Sequence, residues 1–178
     1  MKVTSAIVNG CRQNNRLAQE QLYKLLYADL MQVALLYVVN QSDAEDVLNK
    51  SMLKVFKKIA EFEGTHENFG GWIRRIVVHE SIDFIRSRKS FNEKHITLAN
   101  LPEGNSRENW MEEDPGYILK LLDSLSELEK AVFNLSIIEG YSHKEISSML
   151  NVTVANSKWN LHTARKKMKK WIIEKELA

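Results

Sequence analysis

The residues able to do chemistry in this sequence stand in patterns that bind rather than react. In residues 141–165, Ser142 comes three places before Glu145, the spacing at which a serine and a glutamate cap a helix reciprocally. Ile146, Met149 and Leu150 then form an apolar stripe. Asn151 suits a left-handed turn, and Thr153 can cap a second helix. Leu161 and Ala164 pack that helix inward, which leaves Asn156, Ser157, Lys158, His162 and Arg165 facing out, with Lys166, Lys167, Lys169 and Lys170 directly after them. Two short helices about a tight turn, the second polar and basic on its outer side, have the layout of a helix-turn-helix whose second helix fits the DNA major groove. Lys158 and Arg165 are the strongest candidates for guanine or phosphate contact, and the lysines that follow suit phosphates.

Several other chemistries are absent. No Cys/His zinc spacing, phosphate-binding glycine loop or Gly-x-Ser-x-Gly occurs, and the five histidines are scattered without a second ligand at helical spacing. No metal, cofactor or catalytic machinery is expected. Cys11 is the single cysteine, so no internal disulfide can form. With no signal-peptide pattern either, a cytoplasmic location is expected. The longest apolar run, residues 33–39, is too short to insert into a membrane.

The elements that must position these residues are helices. The 178 residues include only two prolines and seven glycines. The net charge of +2 is uneven: residues 71–95 carry six basic and three acidic side chains, residues 96–140 three and nine, and residues 141–178 eight and three. Two basic blocks around an acidic one point to two nucleic-acid contacts. Residues 1–15 read as a frayed start, with Cys11 and Arg12 at the edge of a first helix. From Leu17 a stripe of Leu22, Leu25, Leu26, Leu30, Val33 and Tyr37 predicts that helix. Asn40-Gln41 breaks it, and Ser42 to Glu45 reads as a second capping box. Ala44, Val47, Leu48, Ser51, Met52, Val55, Phe56 and Ile59 carry the next stripe behind a charged outer face. Residues 61–71, with Gly64, Gly70 and Gly71, read as a loop holding Phe62 and Phe69, and Trp72 opens a third helix. Aromatics beside Arg74, Arg75, His79, Arg86 and Arg88 suit single-stranded DNA, with stacking for bases and charge for the backbone; packing of the aromatics into the core is the other reading. Residues 90–117 hold both prolines and the run Glu112-Glu113-Asp114 and read as a flexible acidic linker. Ile118, Leu119, Leu121 and Leu122 resume the pattern. Ser126 and Glu129 form a third capping box, Leu128, Val132, Leu135 and Ile138 a stripe, and Gly140 a helix stop. The prediction is all-α: two small helical domains, 1–89 and 118–178, joined by the linker 90–117, the second containing the helix-turn-helix.

Three motifs in this order resemble the extracytoplasmic-function sigma factors of the sigma-70 family, over about residues 15–172. Asp43-Ala44-Glu45-Asp46-Val47-Leu48 through Phe56 is similar to the helix that grips the β′ clamp of RNA polymerase. Trp72-Ile73 through Ile76, His79, Ile82-Asp83 and Arg86 looks like the helix that meets the minus-ten promoter element. Val132-Phe133-Asn134-Leu135 through Glu145-Ile146 resembles the start of the domain that reads the minus-thirty-five element. The resemblance implies a non-enzymatic initiation factor. Its partners would be core RNA polymerase (β′ clamp and β flap), promoter DNA and an anti-sigma factor. It assigns Asp43, Asp46 and Asn49 to core polymerase. It assigns Trp72, His79, Asp83, Arg86 and Arg88, with the 61–71 loop as a pocket for a flipped base, to the minus-ten element. Asn156, Ser157, Lys158, His162, Arg165 and Lys166 fall to the minus-thirty-five element. The sequence departs from the family at Asn49-Lys50, where Gln-Glu is usual, at His79 for Asn, at Asn151 for the turn glycine, at Ala155-Asn156 for Gly-Thr, and at Thr163 for Arg. Two other classes remain on the residues alone. A dimeric helix-turn-helix regulator leaves the first seventy residues without a task, and a protein-binding helical adaptor leaves both basic blocks unexplained.

Overall fold

The computed structural model describes residues 3–94, Leu122 and residues 124–176. Every regular element among them is helical, and the chain divides into two compact units, residues 1–84 and 85–178.

The first unit begins with a helix where the sequence reading leaves a frayed start. Helix α1 (Ser5–Arg12) opens on Thr4, whose hydroxyl accepts the Ile7 N–H. Two features made it hard to see: it is short, and it is held from outside. Arg12 donates to the carbonyls of Ile59 (3.4 Å), which also accepts the Phe62 N–H, and of Phe62 (2.5 Å), just past the turn Ile59–Glu61. Gly10 lies so close to helix α2 (Arg16–Leu35) that a Cβ there would stand 2.6 Å from the Cβ of Ala18. Asn14, left-handed at φ 56°, turns the chain, and Asn15 caps α2 by accepting from the Ala18 N–H at 3.1 Å.

The stripe expected on α2 is present, with Leu22, Leu30, Met31, Val33 and Ala34 buried. Tyr37 and Val38 are buried just past its end, whereas Leu17 is exposed. Helix α3 (Gln41–Lys58) packs on α2 through Ala44, Val47, Leu48, Met52 and Val55. Its cap corrects the expectation: Asn40, not Ser42, accepts the Asp43 N–H at 2.8 Å, so Ser42 and Glu45 form no capping box. Asn and Ser cap comparably well, and the capping residue is fixed by where the turn after Val38 lets the helix begin.

A single 3₁₀ turn (Ile59–Glu61) leads to helix α4 (His66–Lys94). The loop expected over residues 61–71 is therefore only residues 62–65, and Gly70 and Gly71 lie inside the helix. Phe69 is fully buried and Phe62 nearly so. Their rings meet edge-on at 5.2 Å, and Trp72 closes the cluster at 5.5 Å from Phe69 and 5.1 Å from Phe62. Three aromatic side chains packed together outweigh the roughly 1 kcal/mol that each helical glycine costs relative to alanine. Residues 90–94, expected in the linker, continue α4. The rest of that linker, both prolines, and Ile118, Leu119 and Leu121 lie outside the described residues.

In the second unit, helix α5 (Glu127–Phe133) carries the capping box expected at Ser126 and Glu129. It widens into a π-helical turn (Asn134–Ile138) and stops at Gly140, φ 75°. The wider turn breaks the stripe: Val132 and Leu135 are buried, while Ile137 and Ile138 are exposed. Helix α6 (His143–Leu150) and helix α7 (Val154–Glu176) follow, and both contribute to the core through Ile146, Leu150, Leu161 and Ala164. No described helix is long and apolar enough to cross a membrane.

Candidate nucleic-acid and protein-binding faces

The helix-turn-helix is built as its residues require. Ser142 and Glu145 cap α6 reciprocally, and the Ser142 hydroxyl and backbone hold the Glu145 carboxyl below its ordinary range. Asn151 sits at φ 52°, ψ 51°, in the left-handed region, and the Val152 N–H reaches back to the Ser147 carbonyl. Thr153 caps α7 by accepting from the Asn156 N–H at 3.1 Å. Asn151→Gly should leave stability within a few tenths of a kcal/mol, whereas Asn151→Val, forced into a left-handed conformation, should cost about 1–2 kcal/mol. Chemical denaturation of the two variants measures the difference.

The exposed face of α7 carries Asn156, Lys158, His162, Arg165 and Lys166. Ser157 does not belong to it and is the one correction to this set. It is fully buried, and its hydroxyl lies 2.9 Å from His143 Nδ1, which ties α7 to the first turn of α6. Of the lysines, Lys167 turns away to the buried Glu129 carboxylate, at 2.7 and 3.0 Å. Burial opposes ionisation of Glu129. The Lys167 ammonium and the Ser126 N–H and hydroxyl outweigh it and hold the carboxyl below its ordinary value. Asn160, buried beneath the face, donates to the Asn156 side-chain oxygen at 2.6 Å and so sets the Asn156 amide. The sequence reading missed Trp159, which is 63% exposed. An apolar residue in a helical pattern reads as core unless its register is checked: Trp159 falls between the inward Asn160 and the outward Lys158.

On α4, Trp72, Arg75, His79, Asp83 and Arg86 recur at helical spacing and share one face. Trp72 is half-buried, and the other four are exposed. Arg88 is exposed but falls on the opposite side of the helix. A Cβ at Gly70 or Gly71 would meet nothing within 4 Å, so neither glycine is there to admit a neighbouring side chain. Backbone bare of side chains beside a half-buried indole is a surface that a flat ligand can approach closely.

On α3, Asp46 is exposed, while Asp43 is half-buried and accepts from the Asn40 amide at 2.8 Å. Asn49 accepts from the Tyr23 hydroxyl at 2.9 Å, joining α2 to α3. Lys54 pairs with the buried Glu80 of α4. Leu53, 60% exposed, stands in the stripe of Asp46, Lys50 and Lys57, an apolar residue that the sequence reading left out. No group of three or more potential metal-ligating side chains occurs among the described residues.

Comparison with known proteins matches two separate parts of the chain. Residues 22–91 match the family model of sigma-70 region 2, and residues 116–168 that of sigma-70 region 4. The ECF RNA polymerase sigma factor SigE of Mycolicibacterium smegmatis is 28% identical over 144 residues, covering 75% of this chain and 53% of the relative. The chain thus spans about half the length of SigE. In Bacillus subtilis, the RNA polymerase sigma factor SigV is 24% identical over 150 residues, covering 84% of this chain and 88% of SigV. The ECF sigma factor SigX is 24% identical over 163 residues, covering 85% and 84%. Among solved structures, the sigma factor RpoE of Bartonella quintana, in complex with the anti-sigma factor NepR, shares the fold at TM-score 0.51 and 18% identity. That match covers 86% of this chain and 95% of RpoE. CnrH, in complex with the cytosolic domain of CnrY, does so at TM-score 0.50 and 18% identity, over 95% and 96%.

Proposed function

The chain belongs to the extracytoplasmic-function sigma factors of the sigma-70 family, and on that footing we propose that it joins core RNA polymerase, recognises both promoter elements and directs initiation in the cytoplasm. Residues 1–89 take the polymerase clamp and the minus-ten element, residues 118–178 take the minus-thirty-five element and the β flap, and residues 90–117 connect them. Asp46 and Asn49, with Asp43 at the helix start, face the clamp. Trp72, His79, Asp83 and Arg86 hold the melted downstream strand, with Arg88 contacting its backbone from the other side of α4. Asn156, Lys158, His162, Arg165 and Lys166 contact the upstream duplex, and Ser157 acts beneath them through His143. An anti-sigma factor that covers the polymerase-binding faces is part of the same proposal, and the complex formed by the Bartonella relative supports it. The protein acts by binding; the reaction itself is the polymerase's.

The observation that carries this reading is the outer face of α7. Behind a capped left-handed turn, its exposed side chains up to Lys170 are polar or cationic with the exception of Val154, Ala155 and Trp159, which is the composition of a helix that enters a major groove. In vitro transcription with purified core polymerase on a pool of genomic promoter fragments tests it. New start sites that depend on the protein are expected. Tight duplex binding with repression of existing starts, and no new ones, would reassign it to the helix-turn-helix regulators. Arg165→Ala is expected to weaken binding to the upstream element by about 1–3 kcal/mol if it reads a base. If it meets a phosphate, binding weakens evenly across sequences and the salt slope falls by about one. Unchanged affinity removes Arg165 from the interface.

A further inference from the structure

We propose that Trp159 reads the methyl group of a thymine in the upstream promoter element. The proposal rests on α7 being the helix that enters the upstream duplex. Trp159 lies in the second turn of α7, 63% exposed, while its neighbours Asn160 and Leu161 are buried. It is therefore held at the centre of the outer face by the packing of the helix beneath it. Recognition helices contact base edges with their N-terminal residues, and Trp159 occupies that part of α7.

The surroundings decide what the indole meets. Ala155 stands one turn before it, His162 and Lys166 follow on the same stripe, and Lys158 and Arg165 both lie round the helix to one side of that stripe. The centre of a protein-docking surface is depleted of charge, whereas this indole has Lys166 on its own stripe, Lys158 and Arg165 to one side and polar Asn156 to the other. Val154, also exposed, lies round the helix from Trp159 and does not extend an apolar patch. The cations draw in phosphates, and the broad apolar surface then lies over base edges. The C5-methyl of thymine is the one apolar group those edges present in the major groove. Ala155 is small enough to let the indole approach it, and the indole N–H remains available to a neighbouring base acceptor.

Holoenzyme formed from the full chain and core polymerase is first used to select its upstream element from a random duplex pool. Each thymine of that element is then replaced by deoxyuridine, which deletes the methyl and keeps the hydrogen-bonding edge. For the wild type, uracil at one position, or at two adjacent ones, should weaken binding about fourfold per methyl, the worth of burying one methyl-sized group. In Trp159→Ala the penalty should vanish, and Trp159→Phe should retain part of it. The unfolding midpoint of Trp159→Ala should match the wild type, because the indole is exposed. If no thymine is methyl-sensitive, or the sensitivity persists in Trp159→Ala, the proposal is overturned. Lys158→Ala and Arg165→Ala separate this from the broader reading. If they weaken binding while Trp159→Ala and uracil are silent, α7 still enters the duplex and only the thymine contact falls. If all are silent and no upstream sequence is selected, both fall.

Discussion

Phe69→Ala should destabilise the first unit by about 3–5 kcal/mol, the usual cost of emptying a buried phenylalanine site. Phe69 has no exposed surface, and its ring packs against both Phe62 and Trp72. Removing it opens a cavity between the turn after α3 and the start of α4, where Arg12 also anchors α1 through the Phe62 carbonyl. Against a typical total of about 5–15 kcal/mol, that loss leaves a sizeable unfolded fraction. Trp72→Ala should cost less, because its side chain is only half-buried, but it removes the one aromatic surface of the cluster that a base can reach. Denaturation of both variants, alongside transcription from a promoter with an intact minus-ten element, separates the roles. Phe69→Ala loses activity with its fold, and Trp72→Ala loses activity while folded. A Phe69→Ala loss below about 1 kcal/mol would mean that the cluster is not part of the core.

That contrast bears on what the sequence could disclose. Aromatic residues between glycines read either as a stacking surface in a loop or as core, because Gly70 and Gly71 are poor helix formers and no local signal records the tertiary packing that overrides them. The same limit hid α1, whose order depends on Arg12 reaching across to Ile59 and Phe62. Legible features were those with short-range causes. The Ser142–Glu145 and Ser126–Glu129 boxes, the left-handed Asn151 and the Thr153 cap all depend on residues within a few places of one another, and each formed as read. Ser157 was misread because two outward neighbours, Asn156 and Lys158, bracket it. Its inward direction follows from the helical register set by Leu161 and Ala164, which the pattern contained. The partner that makes its burial tolerable, His143, lies fourteen residues away. Trp159 is the converse case, an apolar residue whose register points outward.

Lys167→Met should destabilise the second unit more than Glu129→Gln does. Glu129 is 4% exposed and takes the Lys167 ammonium, the Ser126 N–H and the Ser126 hydroxyl, whereas the Lys167 side chain is 45% exposed. Removing the glutamate charge lets Lys167 return to water, at a cost of about 1–2 kcal/mol for a charged hydrogen bond lost. Removing the lysine strands a buried carboxylate, at a cost of about 2–4 kcal/mol, somewhat under the range for a fully buried pair because one partner is half in water. The pH dependence has a definite sign. In the wild type the Glu129 carboxyl is held below its ordinary value. Its contribution is therefore complete above the ordinary glutamate range and is lost as the pH falls through the depressed folded value. Glu129→Gln lacks that acid-limb loss. In Lys167→Met burial acts with less opposition, the carboxyl titrates higher than in the wild type, and the deficit relative to wild type shrinks on acidification. Denaturation midpoints of the three proteins from neutral to acid pH test this, and a Lys167→Met deficit that grew on acidification would refute it. The pair joins the first turn of α5 to the middle of α7, so the same variants should weaken upstream-element binding even where the chain is mostly folded. On the proposal that α7 enters the upstream duplex, its basic face meets DNA from a fixed angle only while Lys167, one residue past Lys166, stays bound to Glu129 instead of joining that face.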